Sequence, residues 1–440
     1  MNIKRLAQLL PSVVLALTLR TSRVFAAEPA YDVVFSFPAD PSSYIGYTTG
    51  ISAIDGKLFG VTRNVVAPLG RNVIYSVNPD GTDYEVLHSF NYSGADRSVS
   101  QLIAVGNRLY GTTAIAGTPT LDHFGSIFSM NADGSDFQTI YTFDGSAGIN
   151  PIGGLTLDGS RLYGTTSRAG LNPGATVFSI ALDGSDFQTA HDFGSGTSQP
   201  HNSTSQLTIT DGHIYGVSRE GGTNNDGTIF SMNLDGSDLS ILYSFNGSEG
   251  LLPNSQLLQI GDKLFGTTPV GGTFNNGTVF SINFDGSGFQ LLHSMGPNYS
   301  SGGDGAHPVG DLLVIDGKIY GATLGYDPSG VISIGGPPLF LGGSVFSINP
   351  DGSDFRVLQR FGSLLTHDGT TTSGLTSINK TLFGYNTALL GNEFLTGPPA
   401  IFSITVPEWN GAALSGLGLG LMIIARCWSR RESNDRMPRI

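Results

Sequence analysis

The 440-residue chain sets 22 Lys and Arg against 35 Asp and Glu, and its net charge of −13 argues against a nucleic-acid partner. A single cysteine, Cys427, excludes an internal disulfide framework and a cysteine-based zinc centre. With 62 glycines and only 13% charged residues, the composition suits short strands and tight turns rather than long helices.

At the N-terminus, Lys4 and Arg5 precede an apolar run over residues 6–19, and Val24-Phe25-Ala26 offers small residues where a signal peptidase reads. Residues 1–26 are therefore expected to be a signal peptide, and the rest of the chain to be exported.

From residue 31 onward one pattern recurs. A Leu-(Tyr/Phe)-Gly-Thr-Thr-like strand is followed by an Ile-Phe-Ser-Ile-Asn-like strand, an Asp-Gly turn and a Phe-containing strand. The glycine of the first element falls at Gly60, Gly111, Gly164, Gly216, Gly266, Gly321 and Gly384, a period of roughly 50 residues, which is that of propeller blades. The seventh copy stops at Ala400-Ile401-Phe402-Ser403-Ile404, with no Asp-Gly turn or final strand after it. Tyr31-Asp32-Val33-Val34-Phe35-Ser36-Phe37 matches Tyr84-Glu85-Val86-Leu87-His88-Ser89-Phe90, the last strand of the first full copy, and can supply what is missing. An open array would leave sheet edges and apolar faces at both ends, whereas a ring protects them. Residues 31–405 are thus predicted to form an all-β, seven-bladed β-propeller of four-stranded antiparallel blades, the last blade closed by the N-terminal strand.

Within a copy the joints differ in kind. First and second strands meet at dipeptides such as Asp55-Gly56, Asp158-Gly159, Asp211-Gly212 and Asp316-Gly317, which accept the positive φ of tight hairpins. Third and fourth strands meet at Asn-x-Asp-Gly-Ser-Asp, as in residues 131–136 and 233–238, where Asp and Ser can bond backbone amides. The other two joints are long and variable. Because strands alternate in direction, the tight turns share one face of the ring and the long loops the other, and a ligand site is expected on the long-loop face.

Residues 406–440 read as a sorting or anchor segment. Val406-Pro407-Glu408 leads into an apolar stretch over 411–425, bracketed by Trp409 and Trp428 and followed by Arg426, Arg430 and Arg431. The arrangement resembles the PEP-CTERM sorting signal of Gram-negative bacteria, with Trp409 where a second proline is usual. The resemblance implies an exosortase-type processing enzyme as partner and membrane association through a C-terminal hydrophobic helix; a plain tail anchor is the alternative.

The repeat itself closely resembles the GloVer tandem repeat of bacterial exported proteins. The matching residues are Leu-(Tyr/Phe)-Gly-Thr-Thr, Gly221-Gly222-Thr223 with Gly227-Thr228-Ile229-Phe230, Gly271-Gly272-Thr273 with Gly277-Thr278-Val279-Phe280, and the Asp-Gly-Ser-Asp-Phe turns. It implies architecture and location and supplies no catalytic residue.

Candidate chemistry is sparse. Asp133, Asp136 and their equivalents lack the alternating ligands and closing Glu of a calcium loop and read as turn residues. The Gly-Gly-Thr segments lack the ending of a phosphate loop. His88, His191 and His293 share a repeat position with Tyr141 and Tyr243, which reads as packing. His123, His201, His307 and His367 fall on the long-loop face, with Asp122, Asp304 and Asp368 beside them, and are the ligand-facing candidates; scattered surface histidines are the alternative. The insertion at 325–341 would cap one side of the ring or meet a partner; a loop folded onto its own blade is the alternative. No nucleophile elbow, His-Glu-x-x-His or carboxylate pair is present, and no cofactor is called for. The expectation is an exported, envelope-anchored scaffold or binding module for extracellular polysaccharide or an envelope protein. The alternative is a hydrolase, lyase or lactonase with its site on the long-loop face.

Overall fold

The computed structural model describes residues 29–37, 45–46, 50–64, 72–90, 98–114, 124–167, 175–194, 196, 198–203, 205–297, 304–324, 343–361, 370–371, 374–387 and 400–406. Seven sheets of four antiparallel strands form a ring, and short extra strands pair with the second strand of blades one, two and seven. Among the described residues there is no helix. Tyr31–Ile404 makes one compact unit, and Met1–Ala30 with Thr405–Ile440 groups separately.

Blade three shows how the repeat becomes a sheet. Leu155–Asp158, Arg161–Thr166, Thr176–Ala181 and Gln188–Asp192 lie side by side in chain order. The second and third strands are buried at almost every position, whereas the fourth is mostly exposed or half-buried. First strands of successive blades approach one another, as in blades two to four, so they line the axis and the fourth strands form the rim. The core is therefore a set of layers between blades. One such layer joins Tyr110, Ile127 and Phe143 of blade two to Leu155, Leu162 and Phe178 of blade three.

The repeat glycine has a steric cause. Gly164 lies opposite Phe178 in the register, and a methyl group at Gly164 would sit 2.5 Å from Phe178 Cζ. The ring of the third-strand Phe lies across the bare backbone of the second strand, and Gly266 with Phe280 repeats the arrangement at 2.5 Å. Only glycine leaves room for that aromatic ring.

Closure occurs where the sequence pattern places it. Ala30–Ser36 pairs with Ala400–Thr405 as the rim strand of blade seven. Phe37 is 2% exposed and its ring lies 5.2 Å from that of Tyr75 and 5.6 Å from that of Tyr385, tying blade one to blade seven.

The tight turns are close to expectation. Asp55-Gly56, Asp211-Gly212 and Asp316-Gly317 take positive φ at both residues, the geometry that matches strand twist. Asp158 is a correction: it pairs with Arg161 inside the ladder, so the turn is Gly159-Ser160, with Gly159 alone at positive φ, +58°. One positive-φ residue suffices when glycine comes first in the turn. In each Asp-Gly-Ser turn the aspartate holds the serine, as Asp133 Oδ1 accepts from Ser135 N at 2.9 Å and Ser135 Oγ at 2.6 Å. These bonds hold Asp80, Asp133, Asp183, Asp235, Asp285 and Asp351 below the usual carboxylate range, with the Ser or Thr hydroxyl as the main cause.

The same turns also join blades. Six of the rim strands carry a bulge at one repeat position. The bulged carbonyl meets the turn glycine of the next blade: a methyl at Gly286 would lie 2.8 Å from Leu242 O, and one at Gly134 2.9 Å from Leu87 O. Beside this contact an aromatic of the rim strand stacks on the aromatic after the next turn. The pairs are His88 on Phe137 at 3.7 Å, Tyr141 on Phe187 at 3.9 Å, Tyr243 on Phe289 at 3.9 Å, His293 on Phe355 at 3.7 Å and, across the closure, Phe35 on Tyr84 at 4.6 Å. Blade four has Leu239 in the stacking position, and His191 instead bonds through Nδ1 to Gly236 O at 3.1 Å. The His/Tyr position is packing, as its chemistry suggested.

Candidate functional site on the long-loop face

At the long-loop end of blades two to six a hydroxyl pair clamps the second strand to the third. Thr166 and Thr176 hydroxyls are 2.7 Å apart, Ser218 and Thr228 2.7 Å, Thr268 and Thr278 2.8 Å. Blades four and five then carry Gly-Gly-Thr loops held by one asparagine each, with Asn225 Oδ1 accepting from Gly221 N at 3.0 Å and Asn275 Oδ1 from Gly271 N at 3.1 Å. Both asparagines take positive φ, +61° and +57°, which asparagine tolerates better than most residues.

The four histidine candidates divide. His123 and His367 lie outside the described residues, as do Asp122, Asp368 and the insertion at 325–341. His201 precedes blade four and bonds through Nδ1 to Gln199 O at 2.7 Å, with Nε2 3.4 Å from Glu220 Oε2. His307 precedes blade six, is buried, and bonds through Nδ1 to Pro269 O at 2.7 Å. The two stand on loops separated by two blades, each fastening its own loop to a neighbouring one. Among the described residues no group of three His, Cys, Asp or Glu could hold a metal ion.

The acidic groups of this face are engaged in the same way. Asp304 Oδ2 meets His293 Nε2 at 3.0 Å and accepts from Gly296 N at 3.0 Å. Glu249 Oε2 accepts from Tyr243 Oη and from Asn246 Nδ2, and burial followed by that carboxylate drives the Tyr243 phenol strongly upward. No nucleophile is placed against a base among these groups.

What the repeat pattern left unread is the axis. Gln206 Nε2 donates to Leu155 O at 2.7 Å, and Gln256 Nε2 to Leu207 O at 2.9 Å. Thr156 Oγ1 donates to Leu207 O at 2.6 Å and Thr208 Oγ1 to Leu257 O at 2.5 Å. Asp311 Oδ1 accepts from Gln256 N at 2.7 Å. First strands are thus stitched blade to blade by polar side chains around the channel. A sequence signal existed: these residues sit at fixed offsets from the leucine that opens each first strand.

A family model described as the Gloeobacter/Verrucomicrobia repeat matches residues 22–208 and again 195–397. The chain belongs to that repeat family. For a Gloeobacter/Verrucomicrobia repeat protein the seven-bladed ring shows what the tandem motif builds. No curated protein matches the sequence. Among solved structures, the β-propeller domain of the Trilobed protease from Pyrococcus furiosus is similar, with a TM-score of 0.50 and 9% identity over 83% of this chain and 94% of that one. That domain is described as having an open velcro topology, whereas the ring of this repeat protein is closed by Ala30–Ser36. An oligogalacturonate lyase in complex with manganese has a TM-score of 0.49 and 11% identity, over 87% of this chain and 97% of that one. The tricorn protease has 0.41 and 12%, over 77% of this chain and only 27% of that one. At such identities the likeness is one of fold.

Among the described residues of this repeat protein no helix is long and apolar enough to cross a membrane. Residues 1–26, expected to be a signal peptide, and Pro407, Glu408 and the apolar stretch 411–425 lie outside them, and Val406 is the last described residue.

Proposed function

We propose that this repeat protein is exported through its signal peptide and held at the surface of a Gram-negative bacterium by residues 406–440. There it serves as a non-enzymatic binding module for extracellular polysaccharide or an envelope protein. The C-terminal segment acts as a PEP-CTERM-like signal with a hydrophobic helix, recognised through Val406, Pro407 and Glu408 by an exosortase-type enzyme.

One observation carries the reading. Third strands run from the long-loop face to the turn face and fourth strands run back. The chain therefore enters the ring at Tyr31 and leaves it at Ile404 on the turn face, where the missing turn of blade seven would be. Both ends of the ring's own chain thus lie on the turn face, opposite the long-loop face. The described His, Asp and Glu of that face hold loops together, which supports binding over turnover.

The test is a glycan-array screen and a turnover assay on the purified chain, together with fractionation of cells expressing it with and without residues 406–440. Binding without turnover, and release from the envelope on truncation, are the expected results. Turnover of a bound polysaccharide, or a cytosolic location for the full chain, would overturn the proposal.

A further inference from the structure

Each blade carries one residue immediately before the buried Leu or Ile at the start of its first strand or, in blade six, within the strand Pro308–Ile315. In blades two, four, five and six it is Gln101, Gln206, Gln256 and Asp311; in blades one, three and seven it is Gly50, Gly154 and Gly374. First strands run from the long-loop face toward the tight turns, so this position marks the long-loop end of the innermost strands.

Blades four to six make a continuous polar arc there. A nitrogen of Gln206 must face Leu155 O and one of Gln256 must face Leu207 O, which turns each amide oxygen the other way. Asp311 uses Oδ1 on Gln256 N, and no Lys, Arg or His among the described residues pairs with it. Its flank toward blade seven is glycine: a methyl at Gly374 would lie 2.9 Å from Asp311 N. At the opposite end Gly154 is equally bare, with Gln206 Oε1 3.3 Å from where its methyl would be. The arc therefore offers acceptors, two neutral and one acidic.

Asp311 is half-buried, and loss of solvent raises its carboxyl above the usual range, partly offset by the Gln256 amide. A desolvated carboxylate without a cationic partner is a site that a cation relieves. A calcium ion is a poor match, since it favours several carboxylates in one cage. A lysine tip brings an ammonium but no hydroxyl donors beside it. An amino sugar brings both.

We propose that the long-loop end of the channel binds an amino sugar, its ammonium on Asp311 and its hydroxyls on the amide oxygens of Gln256 and Gln206. This rests on the reading of the long-loop face as a polymer-binding surface and names the polymer chemistry.

The experiment is calorimetric titration of the purified full chain with glucosamine, N-acetylglucosamine, Nα-acetyl-lysine methylamide and calcium chloride, in weakly acidic buffer. Glucosamine is expected to bind about tenfold more tightly than N-acetylglucosamine, the size of one charge-assisted hydrogen bond. Asp311→Asn, which keeps an acceptor for Gln256 N, is expected to erase that difference with the melting temperature unchanged. Because the wild-type comparison needs no variant, a fold defect in Asp311→Asn does not rescue the proposal. Equal binding of the two sugars, tighter binding of the lysine derivative, saturation by calcium alone, or no glucosamine binding would each overturn it. If the glycan array shows binding only to polymers without amines, this inference falls while the broader function stands; if the array shows no binding, the broader reading falls too.

Discussion

The two faces of the ring are built from opposite kinds of chemistry. On the turn face one motif is used repeatedly, and its parts have mechanical roles: aspartate holds serine, glycine meets a bulged carbonyl, and the aromatic that follows stacks on the neighbouring blade, as Phe187 does on Tyr141. On the long-loop face the blades are less alike, blades four and five sharing one loop form, and asparagine, histidine and glutamate fasten one loop at a time. Repetition marks where blades must fit one another, and variation marks where they are free to differ. Changes that affect inter-blade fit should therefore damage stability, and changes at the loop face should affect binding with little effect on stability.

The largest effect is expected at the closure, where one strand supplies contacts that covalent continuity supplies elsewhere. Phe37→Ala should cost about 3–5 kcal/mol in urea denaturation, and deletion of residues 31–37 should abolish the cooperative transition altogether. Next comes the sheet interior. Gly266→Ala should cost about 1–3 kcal/mol through overpacking against Phe280, read from the same denaturation curves. A loss below about 0.5 kcal/mol would show that the ring of Phe280 moves aside freely.

A smaller effect is expected from the inter-blade stack. A double-mutant cycle on Tyr141→Ala and Phe187→Ala should return a coupling of about 0.5–1.5 kcal/mol; a coupling near zero would make the stack a consequence of blade spacing. The turn aspartates should show their contribution as a loss of stability in acid. Their native pKa values lie below the unfolded value, so their contribution is present above about pH 4 and lost as pH falls through the lowered native values. Replacing Asp133, Asp183 and Asp235 by Asn should make stability less steeply dependent on pH below that point, as followed by thermal melts from neutral to acidic buffer. Smallest in stability is the loop face. Phe274, 49% exposed, should change stability by no more than about 0.5 kcal/mol on replacement by Ala, and any change in glycan binding there would extend the ligand surface beyond the channel mouth.

Much of the fold was legible because its cause is local and periodic. The spacing of the repeat glycines, the incomplete seventh copy and the match of residues 31–37 to 84–90 predict the number of blades and their closure. The shared His/Tyr position predicts packing, and stacking pairs such as His293 with Phe355 bear this out. The site was less legible. His201 and His307 were grouped by face, but contact depends on which loops bend toward the axis, and each of the two instead bonds within its own neighbourhood. Gln206, Gln256 and Asp311 drew no attention as single polar residues at strand starts, since their meaning comes from neighbours 49 to 55 residues away.

The sequence by itself determined the ring, because strand period, turn dipeptides and the displaced last strand are written in consecutive residues. It also determined which ends of the strands carry tight turns and which carry loops. Only the tertiary structure decided why the turn glycines must be glycine, since a methyl at Gly286 would meet Leu242 O of the preceding blade. It alone set Gln206, Gln256 and Asp311 side by side. Side-chain contact across blades depends on sheet twist and ring radius, and these are properties of the assembled circle rather than of any one copy.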